Sequence, residues 1–139
     1  MPSLIYNSAL RDEATAAIDF DTDTFKVMLT TSAYTENKDT HTKRSDVTSE
    51  VTGTGYTAGG NTGTVTVGTV DTGNDRVEIT LGGTTWPAST ITARKAVYYK
   101  SRGGAASADE LIAIVDFRAD VASVSGTLTL TASTIRKQN

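Results

Sequence analysis

Cysteine is absent from this 139-residue sequence, which excludes disulfides, thiol nucleophiles and cysteine metal ligands. Histidine occurs once, as His41, so neither a His/Cys zinc site nor any arrangement needing two imidazoles can be built. A Ser-His-Asp triad stays arithmetically open, but no Gly-x-Ser-x-Gly elbow accompanies it. Aromatic residues make up 6% and hydrophobic residues 37%, which is lean for a core. No apolar run approaches the ~20 residues of a membrane helix. The net charge of −3 offers no excess of Lys and Arg, which disfavours nucleic acid as a partner. The N-terminus lacks a basic stretch followed by an apolar one, so no secretion signal is expected and assembly in a cytoplasm is.

What is abundant is threonine, set in short Thr/Val alternations cut by glycines. Thr suits a pleated surface through its branched Cβ and keeps an outer face wetted. Between Val47 and Leu81 the runs Thr64–Val70 and Arg76–Leu81 alternate, so Val65, Val67 and Val70 are expected on one side. Val77, Ile79 and Leu81 repeat the pattern, and Asp71-Thr72-Gly73-Asn74-Asp75 between the runs has turn composition. A β-meander follows. The expected fold is mainly β, a β-sandwich or barrel-like antiparallel sheet, with one N-terminal helix in a single domain spanning 1–139. Its sheets have one solvated face or are covered by another subunit.

The helix is placed at about 4–18, with Ser3 as N-cap. Tyr6, Leu10, Ala14, Ala17 and Ile18 form its apolar stripe. The β-rich body is placed at about 24–132, and 133–139 reads as a flexible polar tail. Phe25–Thr31 is a strand, with Met28 suggesting cover on its second side. Ser45–Glu50 is a candidate helical turn capped by Ser45 or Asp46. Thr90–Lys100 is the strongest strand. Ile91, Ala93, Lys95, Val97 and Tyr99 are expected on one side, with Thr92, Arg94, Ala96, Tyr98 and Lys100 on the other. The apolar run Leu111–Phe117 reads as a central strand joined to it by a glycine-rich hairpin loop, and Gly126–Thr131 as a last strand with Leu128 and Leu130 inward.

Chemistry-bearing residues are few. Asp19, Asp21 and Asp23 suggest calcium, but an EF-hand needs Gly sixth and an acid twelfth, where Thr24 and Thr30 stand; a turn is the reading. Gly53–Gly60 has the wrong spacing for a dinucleotide fingerprint and no helix after it. His41 is expected exposed in the polar loop Ser32–Arg44. Asp109 and Glu110 are expected as solvated loop charges rather than an acid/base pair. Arg102-Gly103-Gly104 reads as a basic loop tip able to meet an acidic protein patch. Trp86, before Pro87, is a core or edge anchor, with an interface role as the alternative. No cofactor, metal or catalytic residue is expected, and the chain is not read as an enzyme.

The segments Asp21–Leu29, Asp46–Gly60, Ile91–Lys100 and Ala108–Phe117 together resemble a family of small structural proteins of tailed bacteriophages. The resemblance runs from the first helix to the final strand. It implies a virion component, foremost a head decoration or capsid-stabilising protein bound to the outer capsid surface as a small homo-oligomer. A tail, neck or fibre-base component is the alternative, and a carbohydrate-binding module with Trp86, Tyr98 and Tyr99 as its aromatics is a second. Candidate contact residues are Tyr6, Leu10, Tyr34, His41, Arg44, Trp86, Tyr98 and Arg102. Partners would be other copies, the major capsid protein or other virion proteins, with no nucleic acid and no membrane.

Overall fold

The computed structural model describes all residues from Met1 to Asn139. Strands β1 (Leu4–Ile5), β2 (Phe25–Thr30), β3 (Asn61–Gly63), β4 (Val65–Val67), β5 (Arg76–Leu81), β6 (Thr84–Lys100), β7 (Leu111–Leu130) and β8 (Ser133–Gln138) accompany one short helix, α1 (Asn7–Ala14). They form two antiparallel sheets, ordered β1-β7-β6-β2-β3 and β4-β5-β8. The two are joined at bends, because three passages of chain cross from one sheet to the other. Thr64 links β3 to β4, Gly82-Gly83 links β5 to β6, and Thr131-Ala132 links β7 to β8. Corners of this kind are made by strands that switch sheets. At Gly83 a Cβ would lie 2.1 Å from the Leu130 carbonyl oxygen, so the corner admits no side chain there.

The central sheet is covered on both faces. Its larger core packs against the second sheet and holds Phe25, Val27, Leu29, Trp86, Tyr98 and Ile135. The smaller core, on the other face, holds Tyr6, Met28, Tyr34, Val97, Tyr99, Leu111 and Ile114. Met28 on this second face matches the cover expected for it. The hairpin of β6 and β7 is the spine of the molecule, and Leu111–Phe117 lies at its centre as read.

Several expectations need correction. The helix is shorter than 4–18. Leu4 and Ile5 pair with Ile114 and Ala113 as β1, and buried Tyr6 is the N-cap with extended backbone and no side-chain cap, so Ser3 does not serve. Ala16 takes a left-handed φ of 59°, which ends the turn before Ile18. The buried residue of α1 is Ala9, while Leu10 is 54% exposed, so the predicted stripe is rotated. The tail 133–139 is not frayed: Ser133–Gln138 pairs along its length with β5, and Ile135 enters the core opposite Ile79.

The two faces of β6 were also misassigned. Between Ala93 and Lys95 the ladder slips, so that two steps on β6 face five on β7, from Val121 to Asp116. Bulges exchange the faces of the residues that follow. Ile91 and Ala93 therefore share the larger core with Ala96 and Tyr98, not with Val97 and Tyr99. Of the three valines expected on one side, Val65 packs on the core, but Val67 is on the rim and Val70 lies exposed beyond the end of β4. The helical turn is a single 3-10 turn at Arg44–Asp46, with Asp46 Oδ2 accepting the Thr42 and Lys43 amides at 2.9 and 3.0 Å.

Candidate functional site

One end of the molecule is braced by charge. The loop between β6 and β7 ends in Asp109 and Glu110, which are buried, 1% and 3% exposed, rather than solvated. Their partners are Arg102, in the same loop, and Lys43 and Arg44 from far along the chain. Arg44 Nε donates to Asp109 Oδ2 at 2.8 Å, and the Arg102 amide donates to Asp109 Oδ1 at 2.8 Å. Arg102 grips both oxygens of Glu110, at 2.6 to 3.0 Å, and Lys43 Nζ stands 3.4 Å from the same carboxylate. Burial pushes Glu110 upward, but the Arg102 hydrogen bond and the charges of Lys43 and Arg102 outweigh it. The carboxyl is thereby held below its usual range. Beside it, Lys100 Nζ pairs with Asp23 and donates to the Ala17 carbonyl, tying the segment after α1 to the hairpin.

Above this brace the Arg44 guanidinium lies 5.1 Å from the Tyr99 ring centre. The Tyr99 hydroxyl donates to the Gly59 carbonyl, and burial pushes its pKa up to about 12. His41 is not a free loop imidazole. Its Nδ1 accepts the Asn37 amide at 3.3 Å and the Tyr34 hydroxyl at 2.9 Å, and Tyr34 in turn accepts from Tyr6 at 2.9 Å. The chain of hydroxyls runs from the smaller core to the surface and fixes the 31–47 loop over it. Lys95, nearly buried, adds a bond to the Tyr34 carbonyl at 2.8 Å and an ion pair with Glu36.

These contacts sort the predicted residues. Tyr6, Tyr34, Trp86 and Tyr98 are at most 1% exposed and are core residues, so none can form a surface contact in this conformation. Trp86 is the core anchor of the two roles considered for it. His41 and Arg44 are half-buried parts of the brace, and Arg102 has its guanidinium committed to Glu110. Leu10 alone of the eight presents an uncommitted apolar side chain to solvent. Tyr99 is buried with Trp86 and Tyr98, so the aromatic face required for stacking on a sugar is not present.

The opposite part of the hairpin offers a surface that sequence reading passed over. From Phe117 onward β7 has no neighbour on its outer side, because β1 covers only Ala113 and Ile114. Its bulged stretch carries Arg118 and Ser125 at left-handed φ, and between them Val121 and Val124, 39% and 80% exposed. Beneath lies an open groove of about 380 Å³, walled by Thr31, Thr52, Thr90 and Thr92, with Glu50 at its base and Val124 on its rim. Glu50 is occupied, accepting the Tyr56 hydroxyl at 2.8 Å and the Gly59 amide at 2.6 Å. Two buried serines pin the bulge: Ser89 Oγ and Ser123 Oγ are 2.7 Å apart, and Ser89 also donates to the Trp86 carbonyl. The result is a largely hydroxyl-lined trough with an apolar crest, its one carboxylate, Glu50, already bonded within the chain. It suits contact with another surface and contains no nucleophile–base pair. No group of His, Asp and Glu is arranged to hold a metal ion, and no helix is long and apolar enough to cross a membrane.

Compared with protein-family models, with curated proteins and with solved structures, the chain matches none of them.

Proposed function

We propose that this chain is a structural protein of a tailed-bacteriophage virion, acting as a head decoration protein that binds the outer capsid surface and stabilises it. The resemblance of Asp21–Leu29, Asp46–Gly60, Ile91–Lys100 and Ala108–Phe117 supplies the class. The observation that carries the mode of action is the threonine trough under the exposed Val121 and Val124, beside the open edge of β7. A contact of this kind buries apolar side chains and satisfies hydroxyls without needing charge, and it does not depend on strand pairing along the bulged edge of β7. The buried Ser89–Ser123 hydrogen bond holds the bulge beside the trough in place, so little ordering cost is expected on binding. The carbohydrate-binding alternative loses its aromatic residues to the core and is not carried further.

The test is co-sedimentation of the purified chain with empty phage heads, followed by cryo-microscopy of the particles. Saturable binding at symmetric positions on the shell is expected, and Val124→Asp should weaken it about tenfold or more, a loss on the scale of one buried apolar contact. Because Val124 is 80% exposed, that variant should melt with the parent. Labelled protein found only on the tail or neck would move the role there, and no association with any part of the virion would overturn it.

A further inference from the structure

We infer that the outer edge of β8 is the surface on which two copies of this chain join, by antiparallel pairing of β8 with β8. This rests on the oligomeric part of the reading above and names the contact.

The Asn139 amide donates to the Asp75 carbonyl, which fixes the hydrogen-bonding phase of the β5–β8 ladder. Backbone groups of the odd-numbered residues of β8 point to β5. Those of Thr134, Arg136 and Gln138 point away from it, and no hydrogen bond within the chain reaches them. The other sheet edges are guarded. β1 is two residues long, β3 and β4 are three each, and the free part of β7 is broken by bulges. β8 is six residues, in register throughout, with no proline, glycine or bulge.

The flanks of this edge are apolar and uncommitted. An open groove of about 600 Å³ is lined by residues 135–139 together with Ile5, Leu10, Val70 and Val77. Leu10 and Val70 are 54% and 68% exposed. The charges here are already paired inside the chain: Lys137 with Glu13 at 2.6 Å, Arg136 with Glu78 at 3.1 Å, and Arg76 with Glu78 at 3.3 Å. Along β8 itself the charged side chains are thus taken, and of those lining the groove only Asp75 stands without an ion pair, so the edge offers backbone and apolar groups rather than free charge. A second copy needs none.

The strand is also complementary to itself. A two-fold axis at Ile135 sets Arg136 opposite Thr134 of the other copy, and Lys137 opposite Ser133, so no like charges stand directly across. In that register the outward amides and carbonyls of Thr134 and Arg136 pair reciprocally. Two three-stranded sheets become one six-stranded sheet, and the groove lined by Leu10 lies next to the joint in each copy.

Light scattering on the full chain tests this directly. The expected mass is twice the 14.6 kDa of one chain, falling toward one on dilution. Arg136→Pro removes one outward amide and leaves the β5 ladder intact. It should weaken association about tenfold or more, the scale of a lost hydrogen bond with an unsatisfied partner. Leu10→Asp, at an exposed site, should do the same, while Val124→Asp should leave the mass unchanged. Hydrogen exchange should show the Thr134 and Arg136 amides protected in concentrated but not dilute protein. A monomer at every concentration, or a dimer indifferent to both Arg136→Pro and Leu10→Asp, overturns the inference. No phage particle enters this measurement. A monomer that still decorates heads would refute the pairing alone, and a dimer that ignores heads would refute the virion role alone.

Discussion

Glu110 shows how a single side chain sets the response to acid. Its carboxyl is held below the ordinary range, as are those of Asp46 and Asp116, whose main causes are backbone amides donated to them. In the window between the ordinary carboxyl values and these lowered ones, the unfolded chain binds more protons than the folded one. Stability is therefore complete above the ordinary values and falls as pH drops through the folded ones. Thermal melts from neutral pH downward should be flat and then decline, and Glu110→Gln should be less stable at neutral pH and flatter in acid. Tyr34→Phe tests the other interior network. It breaks the link between Tyr6 and His41 and strands the buried Tyr6 hydroxyl, a change expected to cost about 1–3 kcal/mol in denaturant unfolding. Both sites were misread from sequence for one reason. Tyrosine and carboxylate look like surface chemistry until their partners are known. Those partners lie at Arg44, 65 residues from Asp109, and at Tyr6, 28 residues from Tyr34.

Elements were legible where solvent touched one face and unreadable where it did not decide. β5 alternates cleanly because Ile79 and Leu81 face the core while Thr80 faces water, so period and burial agree. In β6 the alternation breaks between Ala93 and Lys95, where the ladder with β7 slips, and nothing in residues 84–100 marks that position. β8 was missed because its pattern contains one apolar residue. It is a strand by virtue of β5 beside it, and Ile135 is its only large apolar anchor. Ile135→Ala should accordingly lose about 2–4 kcal/mol, from transfer and cavity together, as read by urea unfolding. The corner between β5 and β6 makes a sharper test. Gly83→Ala puts a methyl into the Leu130 carbonyl, and the melting temperature should fall even though alanine is smaller than any other replacement. The trough under Val124 is not legible in the sequence, since its four threonines come from three separated segments, each unremarkable alone.

At the scale of the whole molecule, Trp86 is the single tryptophan, 1% exposed, where the two sheets meet. Its emission should be blue-shifted and shielded from acrylamide, and should change in one step with the loss of sheet signal in circular dichroism. Because the chain crosses between the sheets three times and the two share one core, neither should melt alone, and non-coincident transitions would contradict this coupling. The same continuity means that a contact at either end of the hairpin acts on one mechanical unit.

Ile5 and Asn139 line the same groove, so the first strand and residue 139 lie close together on one flank. A short flexible tether between the ends should close the polypeptide into a ring without disturbing the sheets, and fresh ends opened at Gly103-Gly104, where nothing lies within 4 Å, should be tolerated. A fusion appended after Asn139 would emerge beside β8. A cargo displayed there competes with the strand joint, whereas one carried on the Gly103-Gly104 loop leaves it clear.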